Sequence, residues 1–244
     1  MAEPDAQELC VLNSVDWYCS IARAHGIEYS TVNGIWASPD AMPPYYSNAV
    51  TVARSGPEAQ LAVVERLLQA IPHTFSVKDS YALLDLAPLG FRPLFDAEWI
   101  RLEPGGTSPG GGWRRLTTPE ELDRWEAVWR ASGSPAELRV FVPALLDDDS
   151  VAVLAAGTPD EIVAGVVANR SAGVVGLSNF FATGRDAESH FAGAAAAVTQ
   201  FAPGLPVVGY EHGDSLERVL RHGFSAAGPL RVWVHAPSGS SSGP

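Results

Sequence analysis

The chain is poor in cysteine, in methionine and in positive charge. Its 244 residues include 2 Cys and 2 Met, and Lys plus Arg reach 16 against 28 Asp plus Glu, a formal charge of −12. That imbalance repels a phosphate backbone at long range and disfavours nucleic-acid partners. Cys10 and Cys19 fall in one predicted helix, about 13 Å apart along its axis, and cannot bond to each other. A reduced, cytoplasmic chain is the expectation.

Long apolar runs are missing too. The longest stretch without Asp, Glu, Lys or Arg is 22 residues, 189–210, and Pro203, Gly204 and Pro206 break it, so no membrane span is expected. The start, MAEPDAQELC, lacks the basic and apolar regions of a signal peptide. There is no Gly-x-Ser-x-Gly elbow, no His-Glu-x-x-His, no Walker lysine loop and no cysteine pair at zinc spacing. His190 stands alone beside Phe191 and reads as a packed or solvated side chain, so metal binding is not expected.

What is present is burial drive. Apolar residues make up 46%, with 7 Trp, 9 Phe and 6 Tyr, enough for a folded core. At about 150 residues per domain the length fits one large or two small domains. The segment EPGGTSPGGG at 103–112, with five glycines and two prolines, offers little side chain to pack and reads as a linker. It separates a half at 1–103 from a half at 113–236, with 104–112 as linker. The stretch PSGSSSGP at 237–244 reads as a disordered tail.

Both halves alternate helical and strand-like patterns. In the first, 5–25, 57–71 and 79–86 are predicted helical, and 48–54, 74–77 and 93–102 strand-like. In the second, 118–131, 186–201 and 214–221 are predicted helical. The strands there are 151–156, 162–169, 173–182, 206–210 and 229–235. Thr-Pro-Glu-Glu at 118–121 is a capping box with Pro at the first helical position. Asp214 and Glu217 have the same spacing. Laid side by side, 75–100 and 207–234 share an ordered series: Asp79-Ser80 answers Asp214-Ser215, Gly90-Phe91 answers Gly223-Phe224, and Trp99 answers Trp233. The series reads as a duplicated unit.

From these residues the chain resembles the GCN5-related N-acetyltransferases. The resemblance covers the element order from 118 to 235, and most specifically the short helix that runs into Gly223-Phe224 and a last strand. The first half is similar to a more degenerate copy. The resemblance implies an α+β fold with a mixed sheet, a tandem acyl-CoA N-acyltransferase architecture. It implies that strands 173–182 and 206–210 splay apart to admit the pantetheine arm of acetyl-CoA. Asn179, Phe180, Phe181, Ala182, Gly184 and Arg185 are then the coenzyme-binding set, with the pyrophosphate held by N–H groups at the following helix N-terminus.

The loop Ala182-Thr183-Gly184-Arg185-Asp186-Ala187-Glu188 keeps one glycine and one arginine of the family's pattern. Asp186 and Glu188 would compete there with a pyrophosphate. In the first half the equivalent loop is Arg54-Ser55-Gly56-Pro57-Glu58-Ala59. The family's tyrosine acid is replaced by Val219, and Ser178 and Asn179 stand where a base is often found; neither accepts a proton usefully near neutral pH.

Glu211, followed by His212 at the end of a strand, is the candidate general base. Its other reading is a strand-end carboxylate paired with Arg231 or Arg218. Trp36, Tyr45 and Tyr46 sit in a loop-rich stretch carrying unusual aromatic area. They either wall an acceptor pocket or plug the interface between the halves. Two functions fit: N-acylation of a small-molecule or peptide amine, or a degenerate scaffold that binds ligands without coenzyme chemistry.

Overall fold

The computed structural model describes residues 4–105, 112–184 and 186–236. The predicted tail and most of the linker therefore lie outside the described residues. Helix α1 (Ala6–His25) opens on Asp5, which accepts the Glu8 N–H while the Glu8 carboxylate accepts the Asp5 N–H, and it stops at Gly26 in the left-handed region. A hairpin, β1 (Ser30–Val32) and β2 (Ile35–Ala37), follows, then β3 (Ala49–Thr51), α2 (Pro57–Ala70), β4 (Phe75–Asp79) and β5 (Arg92–Leu102). The second half gives β6 (Trp113–Arg115), α3 (Pro119–Ala131), β7 (Val151–Gly157), β8 (Ile162–Ser171), β9 (Val174–Ala182) and α4 (Ala187–Phe201). The chain closes with β10 (Val207–Glu211), α5 (Gly213–Arg221) and β11 (Ser225–His235).

All eleven strands form one mixed sheet in the order β1-β2-β3-β4-β11-β5-β10-β9-β8-β7-β6. The last strand of each half crosses over. β11 pairs antiparallel with β4 and β5, and β5 pairs antiparallel with β10. Each half also holds one parallel pair joined by a helix: β3 with β4 through α2, and β9 with β10 through α4. Helices α2 and α4 cover one face over separate apolar clusters, as parallel crossovers require. Helix α1 and the α3 region cover the other, where Val11, Trp17 and Ile21 join Val153, Val167 and Val208 in one core.

Two expectations need correction. Residues 79–86 form no helix. The buried Asp79 carboxylate accepts the N–H groups of Tyr81 and Leu84, Ala82 takes a positive φ, and only a short 3-10 turn at Ala87–Leu89 follows. An aspartate that draws the backbone round itself competes with helix formation. Asp214 is no N-cap either, since α5 begins at Gly213 behind His212. The hairpin β1-β2, absent from the expected elements, turns on Asn33-Gly34, both at positive φ, the residue pair a tight hairpin turn prefers.

Helix α1 is docked by polar groups as well as apolar ones. Asn13 Nδ2 donates to the Asn169 carbonyl at 3.0 Å and Asn169 Nδ2 donates back to the Asn13 carbonyl at 3.1 Å, both in a buried setting. Gln7 Nε2 reaches the Pro229 carbonyl at 2.9 Å. These bonds fix the helix along β8 and β11 with a register that apolar contact alone leaves free. Asn13→Ala removes the bonds that its side chain donates to the Asn169 carbonyl and the Ser171 hydroxyl and strands those acceptors. It is expected to lower unfolding free energy by about 1–3 kcal/mol in urea titrations; an unchanged midpoint would assign the docking to packing alone.

Candidate active site

The parallel pair β9 and β10 has two registered rungs, Val207 with Val175 and Val208 with Gly176. Glycine brings the strands together at the last point of contact, because a Cβ on Gly209 would stand 2.8 Å from the Leu177 carbonyl oxygen. Then β9 leaves. Its pairing with β8 shifts register between Gly165 and Val167, and Asn179 takes φ +54°. A bulge of this kind bends a strand and re-aims its side chains.

The space opened is a cavity of about 670 Å³. Tyr210 and Glu211 both line it, although neighbours on a strand point to opposite faces. A cavity touches both faces of β10 only where the adjacent strand has departed, so it passes through the sheet. On the α1 side its walls include Trp17, Tyr18, Tyr46, Trp99 and Lys78.

Lys78, on β4, is 1% exposed. Its ammonium lies 3.9 Å from the Tyr210 ring centroid, 4.7 Å from Trp99 and 5.5 Å from Tyr18, and donates to Ser14 Oγ at 2.9 Å. Burial draws its pKa down to about 7. Burial raises the phenols of Tyr18, Tyr46 and Tyr210, and pushes the Cys10 thiol at the cavity wall up to about 12. Those groups stay neutral near pH 7.

Glu211 stands at the other lip of the gap. Burial pushes its carboxyl up to about 7, with Arg218 pulling the other way. Neither expected arginine pairs with it: Arg231 binds Asp96 at 2.6 Å, and Arg218 lies 3.7 Å from Glu188. His212 stacks on Phe95 at 4.8 Å. At neutral pH Glu211 is therefore poised to take up and release a proton.

The other sequence candidates separate. Asn179 and Phe180 line the cavity, whereas Phe181 is buried edge-on against Trp125. Ala182 ends β9 in register with Ala164. Gly184 has φ +75° with open space around it, and Arg185 lies outside the described residues. The N-cap Asp186 makes no side-chain capping bond. Glu188 faces Arg221 at 3.4 Å and His222 at 3.1 Å, so its charge is answered by α5. Tyr45 and Tyr46 line the cavity. Tyr45 is 55% exposed and donates to the Pro135 carbonyl, while the Tyr46 hydroxyl accepts Trp17 Nε1–H at 3.0 Å. Trp36 does not reach the cavity. It belongs to β2 rather than a loop, and is fully buried behind Tyr18 and Tyr29.

The first-half loop is occupied by its own chain. Arg54 pairs with Asp5 at 2.6 Å, and Gln60 Nε2 donates to the Ala53 carbonyl at 2.7 Å. Among the described residues no group of three or more His, Cys, Asp or Glu is placed to hold a metal, and no helix is long and apolar enough to cross a membrane.

Sequence reasoning missed Lys78, Ser14, Trp99 and Tyr210. One signal was available, because Lys78 is the only lysine in the chain. Its titration fixes a sign. Between pH 7 and the unfolded value of 10.5 the unfolded chain binds the proton that the native lysine has released, so stability rises with pH. Glu211 acts oppositely, its contribution falling as pH rises from 4.5 to about 7. Denaturant titrations of Lys78→Met and the wild type are expected to diverge, the wild type alone gaining stability between pH 7 and 9. Parallel profiles would show that Lys78 titrates normally.

No protein-family profile and no curated relative matches the sequence. Solved structures do. A GCN5-related N-acetyltransferase from Kribbella flavida superposes with TM-score 0.70 at 13% identity, over 97% of this chain and 98% of that one. A GNAT-family protein from Novosphingobium aromaticivorans gives 0.60 at 14%, over 94% and 97%. A GCN5-related N-acetyltransferase from Sphaerobacter thermophilus gives 0.53 at 13%, over 96% and 94%. Likeness at such identities concerns architecture: the chain has the GCN5-related N-acetyltransferase fold.

Proposed function

We propose that the protein is an acyl-CoA-dependent N-acyltransferase that acylates the amine of a small molecule. The observation that carries this reading is the opening between β9 and β10 with Glu211 at its lip. Two parallel strands that separate after two rungs leave main-chain groups free to pair with an amide-bearing arm. The residues fit such a co-substrate: Phe180 and Asn179 flank the gap, and the α4 N-terminus lacks a capping side chain, leaving N–H groups for a pyrophosphate. The halves, in this reading, are copies of one unit of which the second keeps the working gap.

The chemistry is acyl transfer by positioning. Glu211 takes a proton from the acceptor ammonium. The amine nitrogen attacks the thioester carbonyl carbon and gives its second proton to solvent, the C–S bond breaks, CoA leaves as a thiolate that is protonated from solvent, and Glu211 returns its proton to solvent. Val219, where a tyrosine acid is expected, is buried in the core. With a thiol pKa of about 8.5 the thiolate leaves tolerably without a dedicated acid.

Acetyl-CoA is expected to raise the melting temperature by mass action. No shift at millimolar coenzyme would overturn the reading in favour of a scaffold without coenzyme chemistry. In a thiol-release assay over a panel of amines, Glu211→Gln is expected to lower kcat by about 10²–10⁴-fold with acetyl-CoA affinity unchanged. The wild-type rate should rise through an apparent pKa near 7 that the variant lacks. An unaltered profile would remove Glu211 from the mechanism.

A further inference from the structure

We propose that Lys78, with the Ser14 hydroxyl, is a seat for a carboxylate on the acyl acceptor, so that the acceptor is an amino-acid-like amine carrying its own anionic group. This rests on the transferase reading for the identity of the ligand, and on the cavity alone for the existence of the seat.

The argument begins with what the chain withholds. A buried cation normally has a counterion, because desolvating an ammonium costs several kcal/mol. This protein has 28 acidic residues, yet among the described residues none lies within 4 Å of the Lys78 ammonium. The adjacent Asp79 is turned into the Tyr81–Leu84 turn and spends its carboxylate on backbone N–H groups. The groups that do face Lys78 are the neutral phenols of Tyr18 and Tyr210, the indole of Trp99 and the hydroxyl of Ser14. Three aromatic faces favour the charged amine, but only one of its N–H groups is engaged. The remaining donors border the cavity that Lys78 lines.

The other fifteen cations are arginines. The ring cage suits a compact ammonium better than a planar five-donor fork. An ammonium and a hydroxyl side by side offer donors for the two oxygens of a carboxylate, whereas a dianionic phosphate would find one cation in a cavity otherwise walled by rings. Glu211 at the far lip supplies the opposite charge. An amine at Glu211 and a carboxylate at Lys78 seat a zwitterion so that each charged wall meets its complement. A bare amine would leave Lys78 as it stands. The lowered pKa agrees with a cation awaiting its partner, and an arriving carboxylate would pull it back up.

The single lysine makes the test direct. Protein grown with 13C-lysine gives one side-chain Cε resonance, whose shift and titration midpoint report Lys78 alone. Acetate, 3-phenylpropionate and L-phenylalanine are expected to move that resonance and raise its midpoint, while 2-phenylethylamine, which lacks the carboxylate, leaves both in place. In Lys78→Met, checked for folding by circular dichroism, 3-phenylpropionate is expected to bind about ten- to a hundredfold more weakly. The seat is overturned if carboxylates leave the lysine resonance unmoved, if Lys78→Met binds 3-phenylpropionate as tightly as the wild type, or if mass spectrometry finds the acetyl group of acetyl-CoA on Lys78. Carboxylates that move Lys78 in a protein whose melting temperature ignores acetyl-CoA would sustain the seat and overturn the transferase reading.

Discussion

The central cavity of this molecule depends on a strand leaving its neighbour. β9 runs beside β10 for two rungs and then swings away at Asn179, a non-glycine residue at φ +54°. That conformation costs roughly 1 kcal/mol, least for asparagine, whose short polar side chain tolerates it. The surroundings hold it there. Phe181, two residues on, is wedged against Trp125 over Gly165, which has no side chain to resist it. β8 accepts the bulged strand by shifting its register. Beyond Gly176 the sheet thus keeps a ladder on the β8 side of β9 and none on the β10 side, and the cavity through the sheet follows.

That hole sets the electrostatics. A continuous sheet would bury Tyr210 on one face and Glu211 on the other without relating them. With β9 gone, both border one space, and Lys78 reaches across from β4, over β11 and β5, to lie on the Tyr210 ring. At about 4.8 Å per strand that is roughly 14 Å of sheet, spanned by two long side chains leaning toward each other. A buried amine and a buried carboxyl, both brought near pH 7 by desolvation, are unfavourable for folding. Stability is supplied elsewhere, by the tryptophan-rich core and by the asparagine pair that docks α1.

The architecture was legible where one local signal dominated. The Thr118 N-cap, the Pro57 start and the apolar strands of the second half each specify their element without tertiary help. The Thr118 hydroxyl accepts the Glu121 N–H, although the Glu121 carboxylate reaches the Thr117 N–H rather than closing a capping box. Of the series matched between 75–100 and 207–234, the flanking strands and a positive-φ glycine, Gly90 and Gly223, occur in both segments, while the α-helix between them forms only in the second. Reading failed at 79–86, where amphipathic spacing suggested a helix but one aspartate gathered the backbone into a turn, and at β1, β2 and β6, three-residue strands too short to show periodicity. Of the residues that line the cavity, Glu211, Asn179 and Phe180 were accessible by analogy along the chain. Lys78 was not, because nothing in its neighbourhood announces that two strands from the other half will place it beside Tyr210. Trp36 misled because aromatic area in an apparent loop looks exposed until the hairpin that buries it is recognised.

Comparing the two parallel pairs explains why only one gap is open. β3 and β4 also share just two rungs, Ala49 with Val77 and Val50 with Lys78. There the strands are then stitched by side chains: Thr51 Oγ1 accepts the Ser80 N–H at 2.7 Å, and the Tyr81 hydroxyl donates to the Val52 carbonyl at 3.1 Å. Arg54, the cation of that loop, lies over the Tyr81 ring and is held by Asp5. Main-chain groups beyond the two rungs are already paired there, so β3 and β4 stay together where β9 and β10 part. Closure has a further consequence. By fixing β4 rigidly against β3, it holds Lys78 over the second half's cavity, and the half without a usable gap becomes the one that furnishes the other half with its charged wall.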